Sequence, residues 1–390
     1  MGPTKVARAA GTGASVPVEC CQVCGHAPLD VVLSLGYMPP VNQMVPIGQV
    51  PHQQPWFPTN LLHCSKCELV QLGLAVDPAI IFPPEYPYTS GTTKLLRDNF
   101  VDLYREAAAM LGLGAKDLVV DVGSNDGTLL SNFRNGGCRV LGIEPTDVGD
   151  IAISRAIPTI KRYFGAEVAG EVKEKYGAAR IVTATNCFAH IEDVHAIVDG
   201  IVEMLAPDGA FISESHYLIG LLDTLQYDTI YHEHLRYYSV TSLKHLLELH
   251  DLEIFHARPI PSHGGSIRVY AARHGVHTVQ ESVCRMLASH KQAPHRLPPR
   301  RGPVQAAADV YAARTERNRS AHRGHQRAVT RQHDRKLCRA RRRHHRLCVR
   351  DRRLAEDRQI HAGYADPGGR GIQAVCRSAR MRGDLLLAHR

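Results

Sequence analysis

The chain has 390 residues, 44% of them hydrophobic, and a formal net charge of +9. This length predicts two or three domains, and the apolar content is sufficient for a core. The absence of any run of about 18 apolar residues argues against a transmembrane helix and a membrane partner. Residues 1–17 lack an apolar segment, so we expect a disordered leader of a cytoplasmic protein, not a secretion signal.

The net charge is divided unevenly along the chain. Residues 1–275 carry 20 Lys and Arg against 29 Asp and Glu, whereas residues 276–390 carry 27 against 9. The acidic body argues against nucleic acid as a partner. The Arg- and His-rich region 276–390 shows no helical or strand period, which favours out-of-frame translation of a GC-rich gene and predicts a degenerate, disordered or aberrant tail. The alternative is the basic arm of an RNA-binding protein or RNA methyltransferase.

Two C-x-x-C pairs lie near the N-terminus. Cys21 and Cys24 precede Cys64 and Cys67 by about forty residues. Each pair can present two thiolates to one ion, and a chain without a secretion signal favours metal binding over disulfides. We therefore predict a structural zinc site in a zinc-binding domain over residues 18–95. The proline-rich stretch between the pairs would depend on the metal for its order.

A strand, a glycine turn and a helix follow one another at residues 118–130. The strand ends at Asp121, and Gly123 and Gly127 allow the backbone to approach a ligand closely. The next strand ends in Glu144. The pattern resembles the D/E-x-G-x-x-x-G loop of class I S-adenosylmethionine (SAM) methyltransferases, in which an acid after the second strand binds the ribose. It predicts an α/β, Rossmann-like methyltransferase domain over residues 96–275. The resemblance implies that the cofactor is bound by Asp121, Gly123, Asn125, Gly127 and Glu144.

A fourth strand of this domain is predicted at residues 179–186. It ends in a polar side chain, Asn186, which we expect at the cofactor. The next helix is predicted to begin at Phe188, with Glu192 and Asp193 in its first turn, where carboxylates are favourable.

The segment Tyr231-His232-Glu233-His234, with Arg236 close behind, is dense in ionisable groups. A metal site would use histidines four apart on a helix, whereas these are two apart. A solvated polar loop is a second alternative. We favour general acid–base chemistry, because histidine beside a carboxylate or phenol moves protons near neutral pH.

A glycine pair leads into a last predicted strand at residues 266–270. The free backbone N–H groups of Gly264 and Gly265, with His263 and Arg268 nearby, predict an oxyanion or phosphate contact. An ordinary glycine hairpin is the alternative.

Taken in order over residues 18–275, these motifs resemble the sugar C-methyltransferase family, which acts on nucleotide-linked 4-keto-6-deoxyhexoses. The resemblance implies zinc on the four cysteines, SAM at the glycine loop and a nucleotide sugar as substrate, methylated at C3 through an enolate. His234 is the expected base. The groups expected to face the sugar are His190, Tyr231, Glu233, His234 and either Tyr86 or Tyr88.

The chain departs from this family after residue 290. A second Rossmann-like unit is expected there, and the sequence shows no glycine-rich turn of that kind. An inactive SAM-binding remnant is therefore a further alternative. A monomer is expected.

Overall fold

The computed structural model describes residues 15–42, 47–48, 54–82 and 88–291. All of the described residues belong to one compact unit. Within the described ranges, no helix is long and apolar enough to cross a membrane. Tyr86 and the region after residue 291 lie outside the described residues.

The N-terminal part is built from short antiparallel strands. The elements are β1 (Val16–Pro17), β2 (Asp30–Met38), β3 (Phe57–His63), β4 (Val70–Leu72), β5 (Leu74–Ala75) and the single-turn helix α1 (Pro78–Ile81). β1 pairs with β5, while β2, β3 and β4 form a sheet whose fourth strand comes from residues 236–237. A segment far along the chain thus completes the zinc-binding domain's sheet.

A seven-stranded sheet forms the second part. Its strands are β6 (Leu118–Val122), β7 (Arg139–Ile143), β8 (Thr159–Ile160), β9 (Ala179–Thr185), β10 (Leu205–His216), β12 (Leu252–Ile260) and β13 (Ser266–Arg273), and β11 (Arg236–Tyr237) is the strand donated to the first sheet. The order is β12-β13-β10-β9-β6-β7-β8, with β13 antiparallel to its neighbours. The order reverses at β6, so the carboxyl ends of β6 and β9 open a crevice, where open α/β sheets bind ligands.

Helices cover the seven-stranded sheet. They are α2 (Lys94–Leu111), α3 (Thr128–Asn135), α4 (Val148–Ser154), α5 (Ala166–Tyr176), α6 (Val194–Met204), α7 (Leu218–Thr224), α8 (Val240–Glu248) and α9 (Glu281–Lys291). Successive residues of the inner strands alternate between two apolar cores: Val120 packs in one, and Val119 in the other. Because both faces are covered, most residues of the inner strands are buried, and β6 is apolar except for Asp121.

Three local predictions differ from the structure. Val16–Pro17 were assigned to a disordered leader, but their backbone pairs with Leu74–Ala75. The helix predicted from Phe188 begins at Val194, because the Asp193 side chain caps it by accepting a hydrogen bond from the Ala196 N–H at 3.0 Å. Helix α9 lies beyond the predicted domain boundary at residue 275.

Candidate active site

The four predicted zinc ligands meet in one cluster. The Sγ atoms of Cys21 and Cys67 are 3.5 Å apart, those of Cys24 and Cys64 are also 3.5 Å apart, and all four lie within 4.8 Å of one another. Tetrahedral Zn–S bonds of about 2.3 Å place sulfurs roughly 3.8 Å apart. The four thiols therefore fit zinc with no position left for a substrate, as a closed structural site requires.

Each cysteine pair sits on a tight backbone turn. The N–H of Gly25 donates to Cys21 O, and the N–H of Glu68 donates to Cys64 O, both at 2.9 Å. Gly25 has φ 68°, and Glu68 takes the same left-handed conformation at φ 59°. Gly25 in the first turn thus has a non-glycine counterpart, Glu68, in the second, which a sequence pattern based on glycine does not reveal.

The glycine turn after β6 approaches the sheet edge closely. Gly123 has φ 71°, and a Cβ there would lie 2.9 Å from the Cβ and Sγ of Cys187. Its N–H donates to Ile143 O at 2.9 Å. The turn therefore holds the carboxyl ends of β6 and β7 together. Because residue 123 has no side chain, the space that a Cβ would occupy stays open.

Two residues predicted at the cofactor do not line the crevice. Asp121 is buried within the sheet, where its Oδ1 accepts a hydrogen bond from Thr183 Oγ1 at 2.6 Å. Burial raises the pKa of Asp121 to about 7, although the Thr183 hydrogen bond opposes the shift. A Cβ on Gly127 would meet Ala152 at 3.0 Å, so this glycine allows α3 and α4 to pack. Asp121 and Gly127 therefore support the turn on the side that faces away from the crevice.

Glu144 and Asn186 face the crevice from two strand ends. Glu144 accepts hydrogen bonds from the Asn125 N–H at 3.0 Å and from Thr146 Oγ1 at 2.7 Å, which fix its orientation. Asn186 has φ 57°, and its buried Oδ1 has no hydrogen-bond partner within the described part of the chain. A buried acceptor without a partner fits a ligand that brings a donor, such as the amino group of SAM.

A cavity of about 730 Å³ extends from this crevice. It unites most of the predicted cofactor and catalytic residues. Those on its wall are Tyr88, Gly123, Asn125, Glu144, Asn186, His190, Tyr231, Glu233 and His234. The predicted cofactor and proton-transfer groups therefore share one chamber.

His234 is held in one tautomer. Its Nδ1 lies 2.7 Å from Thr229 O, an acceptor, so Nδ1 carries the proton and Nε2 keeps its lone pair. The ring centroid of Tyr231 is 4.1 Å away. Burial, reinforced by the charge of nearby His190, lowers the pKa of His234 to about 3, so the imidazole is neutral at pH 7.

Residues of the N-terminal half reach into the cavity. The Asn42 amide donates to Glu233 Oε1. Asn125 Oδ1 accepts from the Ser90 N–H at 2.7 Å, and its Nδ2 donates to Tyr88 O at 3.2 Å. Asn125 therefore fixes the position of residues 88–90, which include Tyr88. Its predicted role at the cofactor did not include this contact.

Two ionisable residues next to the cavity-lining segment make contacts within the fold and do not line the cavity. His232 points away from His234 and lies 3.1 Å from Thr59 Oγ1, so the two histidines do not form a metal site. Arg236 is buried and donates to Tyr238 and Gln22.

Arg268 is fully buried on the sheet, and its Nε donates to Glu214 Oε1 at 2.6 Å. Its charge is already paired, so its predicted contact with an oxyanion or phosphate is wrong.

His216 was not predicted at the site, and His263 was predicted only beside the glycine pair at residues 264–265. His216 ends β10 and places its ring centroid 4.4 Å from His234 and 5.8 Å from His263. With His190, 5.0 Å from His234, they form a row of four imidazoles on the cavity wall. Burial lowers the pKa of each, to about 3 for His190 and His216. The position of His216 at a strand end was the available signal.

The fold and the crevice define the class. Comparison with protein-family models matches residues 95–257 to a methyltransferase domain and residues 21–82 to a putative zinc-binding domain. The strand order is that of the class I SAM-dependent methyltransferases. The described part of the chain therefore has the class I SAM methyltransferase fold, with a zinc-binding domain before it.

Among curated proteins, the chain is similar to the C-methyltransferase NovU of Streptomyces niveus. The two are 36% identical over 277 residues, an alignment that covers 70% of this chain and 66% of NovU. The chain thus spans slightly less than two thirds of that relative.

Among solved structures, the chain is similar to magnesium protoporphyrin IX methyltransferase from Synechocystis with bound SAH (TM-score 0.37, 14% identity, 45% of this chain and 83% of that one). A second is the PH0226 protein of Pyrococcus horikoshii (TM-score 0.38, 14% identity, 48% and 94%).

Proposed function

We propose that this protein methylates a carbon atom of a nucleotide-linked 4-keto-6-deoxy sugar, at C3, using SAM. The observation that supports this most is the position of His234 Nε2, a neutral imidazole lone pair in the same cavity as the glycine turn and Glu144. Similarity to NovU, a C-methyltransferase, agrees with methyl transfer to carbon. Bound SAM supplies an electrophilic methyl group that leaves as the carbon–carbon bond forms.

The cofactor is assigned to the crevice beside Gly123. Glu144 would hold the ribose hydroxyls of SAM through its carboxylate, and Asn186 Oδ1 would accept a hydrogen bond from its amino group. The backbone at Gly123 allows close approach, because no Cβ stands there.

His234 is assigned as the base. Methylation at carbon requires a carbon nucleophile, and the C3–H bond is acidic only because of the neighbouring C4 ketone. Nε2 takes this proton, and the electrons of the bond pass into the enolate and onto O4. A pKa lowered to about 3 makes His234 a weak base, so the enolate itself must be stabilised.

Phenols supply that stabilisation. Burial, with the charge of Glu233, raises the pKa of Tyr231, and burial also raises that of Tyr88, so both hydroxyls keep their protons at neutral pH. A protonated hydroxyl aimed at O4 donates a hydrogen bond as negative charge develops there. Glu233 accepts a hydrogen bond from the Asn42 amide, and its carboxylate orients the Tyr231 phenol beside it. His190 is the remaining candidate donor.

The test is to incubate the purified chain with SAM and a panel of nucleotide-linked 4-keto-6-deoxyhexoses. We expect a product heavier by one methylene, with NMR placing the new methyl group on C3. Without SAM but in heavy water, we expect His234-dependent exchange of the C3 hydrogen. A methyl group found on oxygen, or on RNA in place of sugar, would overturn the assignment.

A further inference from the structure

Arg236 is a buried cation that joins the two halves of the described structure. It is 1% exposed, and its NH1 donates to Gln22 Oε1 at 2.7 Å, while its Nε donates to Tyr238 Oη at 2.9 Å. Its remaining N–H groups donate to the carbonyls of Ile191 and, at 3.4 Å, Glu192. Arg236 therefore connects Gln22, which lies within the first C-x-x-C pair, to the backbone directly after His190.

Within the described ranges, no carboxylate contacts the Arg236 guanidinium. Its partners in the described residues are amide, phenol and carbonyl oxygens, although a buried cation requires compensation. Gln22 lies between Cys21 and Cys24, whose cluster carries a net charge of −2 when four thiolates hold one Zn²⁺. Loaded with zinc, the cluster would place this negative charge on either side of Gln22, the direct hydrogen-bond partner of Arg236.

The same link continues through the backbone. The Gln22 N–H donates to Gln71 Oε1 at 2.9 Å, and Gln71 pairs with Arg236 across the β4–β11 ladder. The Leu235 N–H donates to Ala189 O at 3.1 Å, next to His190. Hydrogen bonds therefore link the cavity wall at His190 to residues beside the cysteine cluster.

We propose that Gln22 and Arg236 are positioning residues that couple the zinc–cysteine cluster to the cavity wall at residues 190–192. Loaded with zinc, the cluster balances the guanidinium charge and fixes Gln22; the guanidinium then fixes the carbonyls of Ile191 and Glu192. The consequence for turnover rests on the proposed function, whereas the consequence for the wall does not.

The test compares Gln22→Ala, Gln22→Glu and Ser65→Ala in the zinc-loaded full chain. Ser65 holds the matching place in the second cysteine pair and is exposed. Zinc content should stay at one ion per chain in all three. In Gln22→Ala alone, amide hydrogen exchange over residues 187–193 should rise several-fold, and the His190 ring resonance should shift. Gln22→Glu keeps the acceptor and should restore both.

Activity is read separately. On a substrate that the wild-type chain methylates, Gln22→Ala should lower kcat by up to roughly 10²-fold, because His190 is misplaced, with the dissociation constant of SAM unchanged. If Gln22→Ala does not fold, Arg236→Lys, which keeps the charge but loses the fork, should raise the same exchange. Unchanged exchange in the zinc-loaded variants overturns the coupling. Raised exchange in a chain that methylates no sugar leaves the coupling intact and refutes the proposed function.

Discussion

At the scale of single residues, burial determines the chemistry of the site. His234 and its neighbours are neutral because the cavity removes them from water, and the Thr229 carbonyl selects which nitrogen of His234 is basic. The sequence placed four ionisable groups together, but the chain turns here, so that Tyr231, Glu233 and His234 line the cavity while His232 lies against Thr59.

The base assignment predicts a selective loss of turnover. His234→Ala should leave the dissociation constant of SAM, measured by calorimetry, unchanged and lower methyl transfer by roughly 10²–10⁴-fold. His232→Asn is the matched control; it should retain turnover and lose only about 1 kcal/mol of stability with the Thr59 contact. Methylation by His234→Ala at near wild-type rate would show that the base is another group.

The buried histidines predict acid sensitivity. Burial lowers the pKa of His190, His216 and His234 to about 3, below the unfolded value of about 6.5. The unfolded chain therefore binds more protons between these values, so stability is fully present above pH 6.5 and falls as the pH falls toward 3, by up to about 1.4 kcal/mol per pH unit for each histidine. Urea unfolding at pH 7.5 and 5.5 measures the fall. The His216→Gln variant should show a smaller one; an equal fall would contradict this cause.

At the scale of elements, the glycine turn after β6 joins the strand ends that form the crevice. Gly123→Ala places a Cβ against Cys187 at a backbone conformation that L-residues disfavour, so we expect a cost of about 1–3 kcal/mol and weaker SAM binding. Calorimetry and urea unfolding measure the two effects. Gly177→Ala, at φ 90° with open space around it, is the control: it should lower stability alone. Equal SAM affinity in both variants would mean that the turn does not contact the cofactor.

At the scale of the whole molecule, the zinc-binding domain is continuous with the methyltransferase domain. Strand β11 follows the Tyr231–His234 segment and pairs with β4, and Cys21 shares a core with Val240 of α8. The cysteine cluster is therefore tied through strand pairing and shared packing to the Tyr231–His234 segment as well as to its own loops.

Zinc removal should unfold roughly the first hundred residues. A chelator, or Cys64→Ser, should make residues 18–95 sensitive to protease, because short irregular strands have little core of their own. Metal analysis should give one zinc per wild-type chain. Cys20→Ser should keep that zinc, since Cys20 is exposed and outside the cluster. Retained protease resistance in the metal-free chain would exclude a structural role for the site.

The change of composition after the methyltransferase domain is testable in the gene. Helix α9 buries Val283 and Met286 in the main core, so we expect the native reading frame to extend through it. The nucleotide sequence across codons 270–300 should reveal an alternative frame that encodes a glycine-rich α/β segment. If no such frame exists, the Arg-rich region is genuine and the nucleic-acid alternative gains support.

The sequence by itself determined the elements whose signals are local. Spacing identified the two cysteine pairs, and the apolar run into Asp121 and Gly123 identified β6 and its turn, because period and turn chemistry act over a few residues. Only the tertiary structure decided which polar groups face one another. His216 joined the imidazole row, Arg268 became a buried ion-pair partner and Arg236 bridged two domains, because burial and strand pairing bring together residues far apart in the chain.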